Sequence, residues 1–217
     1  LTGGKGHFID NSGTPTKNVK EATKLAYEVT GHTDDATNYR LSDYYIMDGT
    51  TKKDLGSTFH ATGAGKITPK ALTATVVNQH ITKVYDAMDD QTDGKRHIIK
   101  GDDLVTLSGW VAGDTARTNT STAKYATKNV VLDSSGNPTT QSVTYTASFD
   151  AGTGVEADNY TLGTEGVTPI ATTKTLMGGY TGTITPRGVT VKFADVTKVY
   201  DGTVTNTQIT ASDLDDG

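Results

Sequence analysis

The sequence predicts an all-β protein built from tandem β-sandwich repeats, and three observations predict it: composition, internal repetition and period-two hydrophobic patterning. Of 217 residues, 42 are threonine and 24 are glycine, against a modest 34% apolar fraction. Threonine and β-branched apolar residues suit a pleated, half-buried surface, and glycine suits the turns between strands. Two pentapeptides recur in the same order. Gly65-Lys66-Ile67-Thr68-Pro69 returns 117 residues later as Gly182-Thr183-Ile184-Thr185-Pro186, and Thr82-Lys83-Val84-Tyr85-Asp86 returns 115 residues later as Thr197-Lys198-Val199-Tyr200-Asp201.

Weaker echoes extend the alignment: Lys17-Asn18-Val19 against Lys128-Asn129-Val130, and Asn38-Tyr39 against Asn159-Tyr160. On this basis residues 1–69 are the closing part of one repeat, 70–186 are a complete repeat, and 187–217 open a third. The elements follow in order. Val19 to Val29 contains helix formers, but Leu25, Tyr27 and Val29 alternate as the aligned Val143 to Phe149 does, so it reads as a strand. Leu72, Ala74 and Val76 predict a strand, as do Val143, Tyr145, Ala147 and Phe149, and then Val189, Val191 and Phe193. Residues 133–138 and 150–154 are turn clusters rich in Asp, Ser, Gly, Asn and Pro. A unit of this length made of short strands has the size of an immunoglobulin-like sandwich. Its expected core is Leu72, Val76, Tyr85, Leu104, Leu107, Trp110, Tyr125, Val130, Val143, Tyr145, Phe149, Tyr160 and Ile184.

The formal charge of −5, with no basic stripe, argues against nucleic acid as a partner. No apolar run approaches the roughly 20 residues of a membrane span. Without cysteine there are no disulfides, zinc thiolates or thiol nucleophile. The opening Leu1-Thr2-Gly3-Gly4 carries neither an initiator methionine nor a signal-peptide pattern, so the chain reads as an internal fragment of something longer.

No enzyme and no cofactor are expected. His7, His32, His60, His80 and His97 are scattered, and Leu107-Ser108-Gly109 lacks the first glycine of a nucleophile elbow. The acidic cluster Asp86, Asp89, Asp90 and Asp93 is the candidate calcium site, because calcium takes six to eight hard oxygen ligands. Asp89-x-Gln91-x-Asp93-Gly94 imitates half of an EF-hand loop, but Lys100 occupies its twelfth position. Asp34-Asp35 and Asp213, Asp215 and Asp216 are further carboxylates that would lie at repeat junctions. Tyr85 and Tyr200 are expected as buried rings whose hydroxyls find backbone partners, and Trp110 as a core filler. An intramolecular Lys-to-Asn/Asp crosslink would require a buried lysine beside an acid.

These motifs give the chain a family resemblance. It is similar to the YDG family and the related MBG-type bacterial immunoglobulin-like repeats, which occur in tandem in large secreted and surface-anchored adhesins. The resemblance covers essentially the whole chain. It rests on Ile67 to Pro69 and Ile184 to Pro186, on Lys198 to Gly202 with the matching Tyr85 and Asp86, on Gly109 to Asp114, and on Asp158 to Tyr160. It implies structural roles for Ile67, Pro69, Tyr85, Asp86, Ile184, Pro186, Tyr200, Asp201 and Gly202, and an extracellular or bacterial-surface location. One departure is Ala87, where the signature glycine should follow Asp86; either the first copy turns differently or alanine carries strain there.

The function expected from this reading is a stalk or fibre segment whose neighbours are other repeats, with the host or bacterial surface ligand held by other parts of the parent protein. The competing reading is a module whose loops bind host glycan or protein; with one tryptophan and 7% aromatics the spacer is favoured. The end pieces nearly tile one domain, which leaves two alternatives: copies associate head to tail, residues 187–217 of one completing residues 1–69 of the next, or the chain is cut from a longer covalent array.

Overall fold

A computed structural model describes residues 3–30, 45–48, 50–54, 58–114, 117–151, 156–167, 169–190 and 197–204. Among them there is no α-helix. The strands are β1 (Gly3–Ile9), β2 (Lys24–Thr30), β3 (Tyr45–Asp48), β4 (Thr51–Asp54), β5 (Thr58–Ala64), β6 (Lys70–Ala71), β7 (Thr73–Val76), β8 (His80–Val84), β9 (Val105–Ser108), β10 (Thr122–Tyr125), β11 (Gln141–Ser148), β12 (Tyr160–Thr161), β13 (Thr173–Leu176) and β14 (Thr181–Thr185). A 3-10 turn at Gly101–Asp103 precedes β9. Two compact units result, residues 1–79, 99–123 and 144–178 in the first and 80–98, 124–143 and 179–217 in the second.

In the first unit β1, β2 and β5 form an antiparallel sheet with β2 central. The strand expected at Leu25 to Val29, against its helix-forming composition, is therefore β2. There β3 pairs with β4, β7 antiparallel with β9, and β6 parallel with β12. Residues 145–148 of β11 pair with β13. In the second unit β14 lies between two partners, residues 141–142 of β11 on an antiparallel edge and β8 on a parallel one.

One turn is built twice. The Asp10 carboxylate accepts the N–H groups of Ser12 and Thr14 at 2.8 and 2.9 Å, with Gly13 at φ +92° and Ile9 bridging Pro15. In the second unit the Asp133 carboxylate accepts Ser135 and Asn137, both at 2.9 Å, with Gly136 at φ +81° and Leu132 bridging Pro138. The Asp-x-Ser-Gly-x-Pro pattern thus recurs at a shift of 123. Lys17 follows the first of these turns and Lys128 precedes the second, so the echo between Lys17-Asn18-Val19 and Lys128-Asn129-Val130 joins non-equivalent positions. With that correction the shifts run 123, 121, 117 and 115 along the chain.

Strand registers add a shift of 118 at β2, lower than the 121 of Asn38-Tyr39 that follows it. Lys24 pairs with Ala64, and Ser142 with Thr181, which aligns Leu25, Tyr27 and Val29 with Val143, Tyr145 and Ala147. Along β11 the alternation is nearly complete, with Gln141, Val143, Tyr145 and Ala147 buried. Two glycines sit at matched positions for close approach. A Cβ on Gly65 would meet Leu25 N at 2.6 Å, and one on Gly182 would meet Tyr125 Cε1 at 2.5 Å and Ile81 O at 2.9 Å.

Of the expected core, Leu72, Leu104, Tyr125, Val143, Tyr145, Phe149, Tyr160 and Ile184 are buried, while Val76, Tyr85, Leu107, Trp110 and Val130 are half-buried. Trp110 packs edge-on to Tyr160 and Phe149, with centroids 4.8 and 5.8 Å away, and its indole N–H donates to Leu107 O. It caps an aromatic group instead of filling a centre. Val105, Leu162, Ala123 and Ala147 are buried and fell outside the expectation. The alternation at Val189, Val191 and Phe193 lies largely outside the described residues, and Val189 itself is exposed.

Candidate functional site

The Thr-Lys-Val-Tyr-Asp segment builds a lysine–aspartate clasp. On strand β8 the burial pattern alternates, so Ile81 and Lys83 face inward and Thr82 and Val84 outward. The chain turns immediately afterwards, and Asp86 comes back beside Lys83. Lys83 Nζ donates to Asp86 Oδ1 at 2.9 Å, Met88 O at 2.6 Å and Asp90 O at 2.7 Å, so each ammonium proton has an acceptor. Asp86 also accepts the Met88 N–H and the Thr92 hydroxyl. Both charged side chains are fully buried. Lys83 Nζ lies 5.4 Å from the centroid of the Tyr125 ring, and Tyr125 donates its hydroxyl to Gln91, which in turn donates to Thr82 O.

Burial acts to raise the Asp86 pKa, but the hydrogen bonds from Thr92 and Lys83 and the Met88 N–H outweigh it and leave the group below its ordinary 3.8. Ala87 sits in the left-handed region at φ +66°, and Gly202 at +75°. The Ala87 copy therefore makes the same turn as the glycine copy and carries the strain of an L side chain there.

The second copy repeats the geometry. Lys198 Nζ is 2.7 Å from Asp201 Oδ1 and 3.0 Å from Thr203 O, and Asp201 accepts the Thr203 N–H at 2.9 Å. Thr203 corresponds to Met88 at the 115 shift. Hydrogen bonds from Lys198, then from the Thr203 N–H, hold Asp201 below 3.8. Here the clasp is partly exposed, and Tyr200 is 93% exposed. The expectation of two buried motif tyrosines is corrected accordingly. In Lys-Val-Tyr-Asp the strand alternation that points lysine inward points valine outward, and the tyrosine begins the turn; Tyr85 is half-buried, and its carbonyl accepts the Arg187 guanidinium at 2.9 Å. Of the other motif residues, Ile184 and Pro69 are buried, Ile67 is half-buried and Pro186 is exposed.

The four acids of the proposed calcium cluster do not converge on one another. Asp86 is engaged with Lys83, Asp89 and Asp90 each lie 3.6 Å from Lys124 Nζ, and Asp93 accepts the Lys95 N–H and pairs with His97. Among the described residues no group of three or more metal-ligating side chains forms. Asp34, Asp35, Asp213, Asp215 and Asp216 lie outside them. Lys83 beside Asp86 is the buried lysine–acid pair that a crosslink would require, held as a hydrogen-bonded ion pair with its N–H groups shared among three acceptors.

A second polar cluster was not anticipated, although its residues include the stretches Gly109 to Asp114 and Asp158 to Tyr160 singled out in the sequence. Asp114 accepts the Tyr160 hydroxyl at 2.6 Å and the Lys17 ammonium at 2.7 Å, while Tyr160 Oη accepts the Val111 N–H. Asn159 accepts the Val19 N–H at 2.9 Å and donates to Asn18 at 3.0 Å. Residues 17–19 are thus tied to Asp114 and Asn159. The hydrogen bond from Lys17, then that from Tyr160, lowers the Asp114 pKa; burial, then Asp114, raises that of Tyr160.

No helix among the described residues is long and apolar enough to cross a membrane. No family model matches the chain, and no curated protein or solved structure matches it.

Proposed function

We propose that the chain is a structural segment, a stalk or fibre of tandem immunoglobulin-like sandwiches, from a bacterial extracellular protein of the YDG type that carries an adhesive element away from a surface. One observation carries the reading. Polar residues of the motif stretches are engaged within the chain itself: Lys83 with Asp86, Asp114 with Tyr160 and Lys17, Asn159 with Asn18 and Val19. A binding module would instead gather unengaged polar groups and exposed aromatics at one place. Repeats that bury their own cores and meet through short hydrogen-bonded junctions make a quasi-one-dimensional array.

The test is dimensional. Small-angle scattering of one 217-residue chain, and of two joined end to end, should give a maximum dimension that about doubles. A fused pair that collapses into a compact particle, or a single chain that retains host glycans or matrix proteins on a surface sensor, would overturn the spacer reading.

A further inference from the structure

The longest parallel pairing among the described residues joins β8 to β14, in a register that runs from Thr181 opposite His80 to Thr185 opposite Val84. Parallel strands have their like ends together, so the entry of β8 at His80 and the exit of β14 at Thr185 lie at opposite ends of the pair. Tension applied upstream of residue 80 and downstream of residue 185 therefore pulls the two strands lengthwise in opposite directions. Such a load slides one strand past the other, and every bond across the pair resists together. A load applied where both strands begin would open the same bonds one after another.

Several contacts oppose the slide. The ladder continues past the strand ends, where the Tyr85 N–H donates to Thr185 O at 2.8 Å. Arg187 reaches back across that end, its guanidinium donating to Tyr85 O at 2.9 Å and to Gly94 O at 2.8 Å. On the outer face the His80 ring lies 2.9 Å from the Thr181 hydroxyl and 3.4 Å from that of Thr183, and the Thr185 hydroxyl donates to Lys83 O at 3.3 Å. On the inner face Lys83 fixes β8 lengthwise. A slip toward the upstream end draws its ammonium off Asp86, Met88 O and Asp90 O at once, and a buried cation parted from its acceptors is costly. Gly182 opposes the slip by shape, because a Cβ there would meet Tyr125 Cε1 at 2.5 Å and Ile81 O at 2.9 Å. A slip that keeps the strand faces moves two residues, which brings Tyr180 to the place that only glycine fits. The antiparallel edge of β14 pairs with β11 over two residues alone, Gly182 with Gln141 and Thr181 with Ser142, so β8 is its main hold.

We infer that the β8–β14 pair is a load-bearing clamp, which keeps residues 86–180 out of the force path while the chain is pulled from both sides. This role rests on the stalk reading above, which supplies the tension.

Because the chain has no cysteine, the pulling axis can be chosen with introduced ones. In the full chain, handles on Gln79→Cys and Gly188→Cys load the pair along its length, and handles on Gln79→Cys and Met177→Cys load it from the end where both strands begin. All three sites are exposed, and a Cβ on Gly188 meets nothing within 4 Å among the described residues. Forced unfolding reports the barrier on the pulled path, so one folded state can give two rupture forces. Single-molecule pulling at a matched loading rate should give a several-fold higher rupture force along the first axis. Arg187→Ala should lower that force and leave the second axis unchanged. Equal forces on the two axes, or an Arg187→Ala loss of the same size on both, would overturn the inference. Either outcome leaves the scattering test of the stalk untouched, whereas a collapsed end-to-end fusion would remove the stalk reading even with the two rupture forces still different.

Discussion

Lys83–Asp86 and Lys198–Asp201 are the same clasp in different surroundings. Each has its lysine and aspartate three residues apart, an Asx-type bond to the N–H two residues on, a left-handed residue after the aspartate, and a lysine bond to the carbonyl five residues on. Around the first, Tyr125, Gln91, Thr92 and the Asp90 carbonyl close over the pair; the second is partly exposed. Local sequence therefore specifies the clasp, while its energetic weight depends on what the rest of the repeat places over it.

The largest expected difference comes from removing the lysine. Lys83→Met leaves the Asp86 carboxylate buried without its cation and should destabilise the protein by about 3–5 kcal/mol, read from denaturant unfolding. Lys198→Met should leave the unfolding midpoint almost unchanged, since exposed pairs contribute little. Equal losses from the two substitutions would break the comparison.

A similar contrast separates the matched tyrosines. Tyr145 is fully buried and its hydroxyl donates to Asn78 O at 2.7 Å, so Tyr145→Ala should cost about 3–5 kcal/mol. Tyr27→Ala should cost much less in the isolated chain, by the same unfolding measurement, because that ring remains partly in water.

Acid should act on the buried clasp next. Asp86 has a folded pKa below 3.8, so its stabilisation is present above 3.8 and is lost as pH falls through the folded value. Thermal melts should fall more steeply below pH 3.8 for the unmodified protein than for Asp86→Asn. Parallel curves would remove the carboxylate from the account.

The smallest expected effects have opposite signs in the two copies. Ala87→Gly relieves a left-handed alanine and should stabilise by about 0.5–1 kcal/mol. Gly202→Ala introduces the same strain with no steric neighbour within 4 Å among the described residues, and should lower the exchange protection of the Thr203 amide by nuclear magnetic resonance. Calcium against chelator should leave the melting temperature unchanged, because Asp86 is taken up by Lys83, Asp89 and Asp90 by Lys124, and Asp93 by His97; a clear upward shift with calcium would place an ion elsewhere in the chain.

Much of this was legible before the structure. The all-β class, the strand at Leu25 to Val29 and the alternation along β11 follow from period-two patterning. The Asp10 turn was legible too, as a match to Asp133 through Pro138, but the short echo at Lys17 obscured it. Asp114 and Asn159 sat in recognisable stretches, yet their partners Lys17 and Asn18 are 97 and 141 residues away, and no local spacing points across that distance. Ala123 escaped because alanine burial depends on neighbours more than on its own hydrophobicity.

By itself the sequence determined the clasp, the Asp-x-Ser-Gly-x-Pro turn and the strand faces, since each needs only hydrogen bonds and alternation within about ten residues. Only the tertiary structure decided which lysine is buried, which tyrosine is dry and which glycine-to-proline strand gains a parallel neighbour. Those outcomes require strands about 100 residues apart to meet, as β8 and β14 do. The entropy of closing such loops is offset by burial summed over the whole repeat, a quantity that two identical pentapeptides cannot differ in.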